Sequence, residues 1–222
     1  MPLPTPIDVA EALTKSKPAL SRIEVRTELD GRVAEFGRRF WDLVQDRSAV
    51  ARDWFMANEM QSVEYDDRYL FNPLSVSLFT SVLRGLPRNL SERAKVTIRT
   101  MADKPAGYGT ASPSTIFDDW RNVATRDRVL KACIADAGFS AALETARRQM
   151  LPHGRSLRVR NARGSTLEIV LDQGFGYWRS RGGSFDFAAD PLNQATVIVR
   201  GNAEVIGSSF HPTAIIVEAR EP

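Results

Sequence analysis

Two short glycine-containing segments hold most of the side chains in this chain that could carry chemistry. The first is Leu-Pro-His-Gly-Arg at 151–155, and the second is Leu-Asp-Gln-Gly-Phe-Gly-Tyr-Trp-Arg at 171–179. Together they offer an imidazole, guanidiniums, a carboxylate, an amide and aromatic rings, among glycines that allow a positive φ or a close backbone approach. Strands by themselves need only alternating apolar residues, so this density of polar groups predicts a built site.

Arginine dominates the region around the first segment. Between residues 147 and 163 there are six arginines and no acid. They are Arg147, Arg148, Arg155, Arg158, Arg160 and Arg163, and Arg179 and Arg181 follow the second segment. A planar guanidinium can bind phosphate or carboxylate through two parallel hydrogen bonds. The net charge of the chain is only +3, so the local clustering, and not the total, predicts an anionic ligand.

A third polar segment, residues 66–70, lies between a predicted strand and a helix predicted over 73–85. The order of strand, polar turn and helix places side chains at the carboxyl edge of a sheet, where α/β proteins bind ligands. A structural role is equally compatible with the sequence, because Asp67 or Asn72 could cap the helix and Arg68 could make a local ion pair. The sequence leaves both roles open.

The remaining pattern predicts the elements that must position these segments. Apolar residues at intervals of three and four over 33–55 indicate one or two amphipathic helices whose aromatic rings face the core. Alternating strands are predicted at 61–65 and 94–100, and one or two helices at 114–137. Residues 139–146 fit a strand or a helix. If they form a strand, the order is a β-α-β-α-β unit with a parallel sheet.

The C-terminal part predicts several short strands. Residues 157–160 and 166–171 flank a glycine-containing turn and predict a hairpin. Two further strands are predicted at 195–199 and 213–218. We therefore expect an α/β fold with a central mixed β-sheet flanked by helices and a strand-rich C-terminal part.

This fold is expected to form a single domain over 29–222. It follows a proline-punctuated, flexible lead-in at 1–28. No apolar run approaches the roughly 20 residues that cross a bilayer, and the N-terminus lacks the basic-then-apolar order of a secretory signal. We predict a cytoplasmic protein without a membrane partner.

The chain has one cysteine, Cys133, and two histidines. A single cysteine excludes a disulfide within the chain and a cysteine-rich metal site, and its place in a helical pattern predicts a reduced core thiol. Two histidines and one cysteine cannot make a typical zinc site without several acids. We expect no bound metal and no cofactor.

The three polar segments together resemble a phospholipase-D-like domain. The likeness rests on Tyr-x-Asp-Arg-Tyr-Leu at 65–70, His-x-Arg-x-Leu at 153–157 and Leu-Asp-Gln-Gly-Phe-Gly-Tyr-Trp at 171–178. The pattern is similar in particular to domains at the C-termini of prokaryotic DEAD/DEAH-box helicases from anti-phage and DNA-modification loci. It is more distantly similar to the C-terminal domain of MIT proteins. The resemblance covers residues from about 31 to about 219 and implies an α/β sandwich with a central mixed sheet.

The resemblance also implies that the motif residues share one face of the fold. They are Asp67, Arg68, Tyr69, His153, Arg155, Asp172, Gln173, Gly174, Gly176, Tyr177 and Trp178. Active phospholipase-D enzymes use a His-x-Lys pair followed by an aspartate, with histidine as the nucleophile. Here Arg155 stands in place of the lysine and Arg160 in place of the acid that would orient the histidine. The only other histidine is His211. Phosphate binding therefore fits the residues better than catalysis.

We expect His153, Asp67 and Asp172 to be the catalytic residues if catalysis survives. The residues expected to bind phosphate or nucleic acid are Arg68, Arg155, Arg158, Gln173, Tyr177, Trp178 and Arg179. Tyr177 and Trp178 are adjacent, so an extended backbone would send one ring into the core and leave the other to stack on a base.

Each residue also has an ordinary structural explanation. His153 could be a hydrogen-bonded loop histidine, and residues 172–174 could form a turn in which glycine supplies the positive φ. These explanations treat the residues one at a time. They account less well for the convergence of the polar segments with an acid-free arginine run.

The favoured hypothesis is a non-catalytic or weakly catalytic nucleic-acid-binding module that works with a helicase or nuclease partner in prokaryotic anti-phage defence. A scaffold subunit of a defence complex is the alternative, and it predicts an exposed apolar patch. A divergent nuclease, and hence a phosphodiesterase, would have to use Asp66, Asp67, Glu168 and Asp172, with Glu64 as a further acid. The sequence is compatible with an oligomer but does not determine one.

Overall fold

A computed structural model describes most of the chain. The described residues are 20–87, 90–102, 123–151, 155–181, 203–207 and 211–222. The predicted strand at 195–199, the start of the helix predicted at 114–137 and the side chain of His153 lie outside these ranges.

The helices have clear sequence causes. In the described part of the chain the α-helices are α1 (Phe36–Arg47), α2 (Ala49–Ala57), α3 (Pro73–Arg84) and α4 (Val123–Asp136). The short 3-10 helices described there are η1 (Val33–Glu35), η2 (Arg148–Met150) and η3 (Gly174–Tyr177). The Ser48 side chain accepts a hydrogen bond from the Ala51 amide and caps α2. The Asn72 side chain accepts from the Ser75 amide and caps α3, which begins at Pro73. Of the two caps left open by the sequence, Asn72 is the one used.

Within the described ranges, ten strands form two sheets. They are β1 (Leu20–Val25), β2 (Gly31–Arg32), β3 (Met60–Asp66), β4 (Leu90–Met101), β5 (Ser140–Ala146), β6 (Arg155–Asn161), β7 (Thr166–Leu171), β8 (Arg179–Arg181), β9 (Glu204–Ile206) and β10 (Thr213–Arg220). The large sheet has the order β1-β10-β7-β6-β3-β4-β5, and the small sheet has the order β2-β9-β8. The expected α/β class with a central mixed sheet is confirmed.

The β-α-β-α-β unit is also confirmed. β3 pairs in parallel with β4, and β4 pairs in parallel with β5. Residues 140–146 are therefore a strand, the first of the two forms that the sequence allowed. β6 and β7 form the predicted antiparallel hairpin, and β6 pairs antiparallel with β3. This register places the carboxyl ends of β3, β4, β5 and β7 at the same edge of the sheet as the amino ends of β6 and β10.

The edge strand β1 was not predicted. It lies within the segment 1–28, for which the sequence predicts a flexible lead-in, and it pairs antiparallel with β10 from Leu20 opposite Glu218 to Val25 opposite Thr213. Only Ile23 and Val25 of this strand are buried. Residues 20–25 are part of the main sheet.

The larger of two buried apolar clusters among the described residues lies between the main sheet and the helices. The aromatic rings of α1 and α2 are buried in it, as the helical spacing predicted. Trp41 Nε1 donates to the Val82 carbonyl, and Trp54 Nε1 donates to Ser165 Oγ, so both indoles are satisfied inside the protein. Cys133 is a buried free thiol as expected, and burial raises its pKa to about 11.

The helices α1 and α3 cross at two glycines. Gly37 of α1 donates its amide to Ser81 Oγ at 2.9 Å. A Cβ at Gly37 would lie 1.7 Å from the Ser81 carbonyl oxygen, and a Cβ at Gly85 would lie 2.5 Å from the Gly37 carbonyl carbon. The missing side chains let the two helix backbones touch, and this contact sets the position of α3 behind β3.

Replacing Gly37 by Ala is expected to destabilise the fold by about 3 kcal/mol, because the added methyl must push α1 and α3 apart in a close-packed core. Chemical denaturation measures the change in the free energy of unfolding. Arg38→Ala on the same helix is the control, since its side chain is 70% exposed and its ion pair with Glu35 is a surface pair. Equal stability of the two variants would contradict the tight crossing.

Candidate functional site at the carboxyl edge of the sheet

Three of the polar segments found in the sequence meet at the carboxyl edge of the main sheet. Asp67 lies in the turn after β3, Arg155 is the first residue of β6, and Gly174 is the first residue of η3. A Cβ on Gly174 would lie 2.8 Å from Arg155 Cγ and 3.1 Å from Asp67 Oδ2. Residues that are far apart in the chain are therefore in direct contact, and we call this group the Asp67 site.

Asp67 is the centre of the site and is 3% exposed. Tyr65 Oη donates to Asp67 Oδ2 at 2.8 Å, and the Tyr69 amide donates to Asp67 Oδ1 at 2.7 Å. The Arg155 guanidinium is close by, with Nε 3.9 Å from Asp67 Oδ1. Both carboxyl oxygens are thus held by the protein, which fixes the turn that follows β3.

Burial controls the acidity of this group. Burial raises the pKa of Asp67, although the Tyr69 amide, the Tyr65 hydroxyl and the charge of Arg155 each act to lower it. Burial also raises the pKa of Tyr65 far above its ordinary value, and the neighbouring Asp67 raises it further. Tyr65 therefore stays a hydrogen-bond donor to the carboxyl group.

Arg155 is held on three sides. Its Nη1 donates to the Asp172 carbonyl oxygen at 2.7 Å. Its Cζ lies over the Tyr69 ring, 5.3 Å from the centroid, and its side chain is 21% exposed. Gly174 closes over the aliphatic part of the side chain and has a φ of +61°, a conformation that glycine adopts without cost. The guanidinium is therefore fixed in place but still reaches solvent.

The aromatic residues of the second glycine segment are buried. The segment turns as η3 up to Tyr177, so the extended backbone on which the two rings would face opposite sides is not formed there. Tyr177 is 5% exposed and Trp178 is 2% exposed. Tyr177 Oη donates to the His211 carbonyl oxygen at 2.7 Å, while Trp178 packs edge-on against Phe36. Neither ring is placed to stack on a ligand.

Phe175 anchors the same segment in the core. It is fully buried and packs against Tyr65 with ring centroids 5.5 Å apart. This contact sits directly behind the Asp67 site, because Tyr65 also donates to Asp67. The buried rings of η3 thereby hold Gly174 against Arg155.

Two further predicted arginines organise the loops at this edge. Arg68 donates through Nε and Nη2 to the Leu151 carbonyl oxygen, with the Nε contact at 3.1 Å. Arg179 Nη1 donates to the Gly176 carbonyl at 2.9 Å and to the Trp178 carbonyl at 3.2 Å, at the end of η3. The local ion pair considered for Arg68 is replaced by a hydrogen bond between distant parts of the chain.

The other predicted residues are placed differently. Asp172 and Gln173 are exposed at the start of η3, and Asp172 contributes its carbonyl oxygen to the site. Arg158 is on the other face of the sheet, where it is paired with Asp66. His153 lies outside the described residues, so its position relative to the site stays a prediction.

Three of the acids proposed for a divergent nuclease, Glu64, Asp66 and Glu168, are bound by arginines or hydrogen-bond donors on the polar face of the sheet. Asp66 pairs with Arg99 at 2.6 Å and also with Arg158, and Glu64 pairs with Arg99 at 3.1 Å. Glu168 accepts from Ser156 Oγ at 2.8 Å on the same polar face of the sheet. In the part of the chain that the structure describes, no group of three or more histidine, cysteine, aspartate or glutamate side chains could hold a metal ion.

Tyr65 is a site residue that the sequence placed in a predicted strand and in the 65–70 motif, without a role of its own in the site. The signal was present, because Tyr65 and Asp67 are two residues apart and side chains at that spacing share one face of an extended chain. A tyrosine two positions before an acid at a strand end therefore indicated the hydrogen bond seen here.

The fold and the site define an α/β domain with one mixed sheet and an arginine-bearing loop cluster at its carboxyl edge. Residues 19–219 match the family described as the C-terminal domain of the DEAD/DEAH box helicase YjiV. The chain belongs to this family of helicase C-terminal domains. No match was found among curated proteins. No helix within the described ranges is both long enough and apolar enough to span a membrane.

Gly174→Ala is expected to destabilise the protein by about 2 kcal/mol. The left-handed conformation alone costs a residue with a Cβ about 1 to 2 kcal/mol, and the new methyl also collides with Arg155. Gly176→Ala is a matched control in the same turn, because a Cβ there meets nothing within 4 Å. The free energies of unfolding of the two variants should differ, and equal values would contradict the close contact.

Asp67→Asn tests the buried carboxyl group. The folded-state pKa of Asp67 is raised, so the unfolded chain releases this proton at lower pH than the folded protein does. The stability of the native protein therefore falls as pH rises from the unfolded-state pKa to the folded-state pKa. The asparagine variant lacks this term. Urea denaturation of both proteins from about pH 4 to about pH 8 should show the native protein losing stability relative to the variant. A constant difference across this range would contradict the raised pKa.

Proposed function

We propose that the carboxyl edge of this helicase C-terminal domain binds the phosphate backbone of nucleic acid and acts without chemistry of its own. The observation that carries the proposal is the contact between the turn after β3, the first residue of β6 and η3. The turn carries Arg68, β6 begins with Arg155, and Arg179 follows η3 and donates back to the carbonyl of Gly176. Fixed guanidiniums at one place are what recognition of phosphate oxygens requires.

The fixed positions of the arginines support binding. Arg68, Arg155 and Arg179 each donate to backbone carbonyl oxygens, so the protein has already lost the side-chain freedom that an incoming ligand would otherwise have to remove. An arginine has five N–H donors, and a contact to one carbonyl uses only part of them. Arg147, directly after β5, adds an exposed cation at the same edge.

The contacts of the acids favour binding over hydrolysis. Asp67 is buried and hydrogen-bonded, and Asp66 is paired with two arginines on the other face of the sheet. A metal-dependent nuclease needs acids that converge on one ion. Asp66 and Glu64 are instead bound by the shared arginines Arg99 and Arg158, and Asp67 is held by hydrogen bonds on the opposite side of the sheet.

We also propose a helicase partner, a role in defence and a phospholipase-D-like origin. The helicase family suggests that the nucleic acid is one on which a helicase motor acts, in cis or as a partner chain. A role in prokaryotic anti-phage defence and a phospholipase-D-like origin rest on the sequence resemblance. His153, on which that origin most depends, lies outside the described residues.

Nucleic-acid binding over a salt series tests the proposal. Fluorescence anisotropy with labelled DNA and RNA, from about 50 to about 300 mM salt, should give affinity that falls steeply with salt. Arg147→Ala should weaken binding about three- to tenfold and reduce the slope by about one, since it removes an exposed cation without touching the core.

The matched control is Arg163→Ala. Arg163 is also exposed, but it lies in the turn between β6 and β7 at the opposite edge of the sheet. Arg155→Lys keeps the charge and loses the planar fork, so it should weaken binding more than Arg163→Ala does. Binding that is absent, or equally affected at the two edges, would overturn the site. Cleavage on addition of Mg²⁺ would overturn the non-catalytic assignment.

A further inference from the structure

We propose that the Asp67 site takes single-stranded nucleic acid and stacks a base on the Tyr69–Arg155 pair. This inference rests on the proposed function and names its substrate class. It also moves the stacking role from Tyr177 and Trp178, whose rings are buried, to a ring that the sequence analysis named only in a motif.

The Tyr69–Arg155 pair is rigid. The Tyr69 amide donates to the buried Asp67 carboxyl group, and the Tyr69 ring packs against a small apolar cluster of Phe71, Met101 and Leu151. The Arg155 guanidinium lies over this ring, and its Nη1 is fixed by the Asp172 carbonyl. The aromatic plane and the cationic plane are thereby ordered before any ligand arrives.

The exposed surface of the pair suits a nucleobase. The Arg155 side chain keeps 21% of its surface accessible, and a guanidinium that already lies over an aromatic ring can take a second flat π-system. Leu151 belongs to the apolar cluster, and the preceding residue, Met150, is 77% exposed. A flat cation, a ring and an exposed apolar side chain at one edge can contact a base, whereas a phosphate needs only the cation.

The elements at this edge favour a single strand over a duplex. In the part of the chain that the structure describes, the site residues lie in the turn after β3, at the first residue of β6 and in η3, a 3-10 helix of four residues. The helix η2, of three residues, follows β5 at the same edge. The long helices α1 and α3 pack their apolar faces into the core. Reading duplex DNA through the major groove needs an α-helix or a two-stranded ribbon that can enter the groove. A base in a duplex is already stacked on its neighbours, so only an unpaired base can lie on Arg155 without an unstacking cost.

Three probes test this inference with the intact protein. They are a labelled single strand of about 16 nucleotides, the same length of abasic strand, and the corresponding duplex. The single strand is expected to bind about tenfold more tightly than the abasic strand and the duplex at equal salt. The abasic strand keeps the phosphates, so this comparison isolates the contribution of the bases.

Variants locate the effect. Tyr69→Ala should weaken binding of the intact single strand about tenfold and leave the abasic strand almost unchanged, while Tyr69→Phe should restore the affinity because it keeps the ring. Met150→Ala gives a second measurement that does not disturb the core. Its control is Met56→Ala, because Met56 is 80% exposed at the end of α2, next to the amino end of β3.

The outcomes separate the two proposals. Equal affinity for the single strand, the abasic strand and the duplex, with Arg147→Ala still weakening all three, would overturn base stacking and leave phosphate binding in place. Base stacking would also be overturned by two results seen together. The first is equal affinity of the Met150→Ala and Met56→Ala variants for the single strand, and the second is a loss of affinity in Tyr69→Ala that is as large for the abasic strand as for the intact strand. A lack of binding to every probe would overturn the proposed function itself.

Discussion

The buried carboxyl group of Asp67 is the interaction on which the carboxyl edge of the sheet depends. It is nearly inaccessible to water, yet it accepts hydrogen bonds from Tyr65 and from the Tyr69 amide, with Arg155 close by. An unpaired polar group at that depth would cost about 1 to 3 kcal/mol, so the turn, the strand β3 and the strand β6 must keep their relative positions to satisfy it. One small group thus fixes the path of the chain at the edge where the arginines gather.

The second glycine segment serves both the core and the site. Phe175 is buried against Tyr65, and the same turn presses Gly174 onto Arg155. This arrangement explains why the segment combines glycines with large aromatic residues: the rings supply the hydrophobic anchor, and the glycine supplies the close approach. The aromatic residues hold the site in place, and the polar groups they position are the ones exposed to a ligand.

Much of the fold could be predicted from periodicity, and the exceptions have physical causes. Residues 140–146 are rich in good helix formers, so their strand conformation comes from pairing with β4 and not from local preference. The edge strand β1 buries only two side chains, which leaves almost no apolar alternation to detect. Convergence of the three polar segments was predictable, since parallel strands end at one edge. The burial of Tyr177 and Trp178 was not, because it depends on the chain turning as η3.

The pairing of β1 with β10 also decides how the domain can be tethered. Leu20 is opposite Glu218, and Pro222 comes within 3.3 Å of the position of a Cβ on Gly164, in the turn between β6 and β7. Both ends of the sheet-forming chain therefore leave from the edge opposite the Asp67 site. A polypeptide that continued from Pro222 would start on the far side of the molecule, so that attachment would not obstruct the arginine-bearing loops.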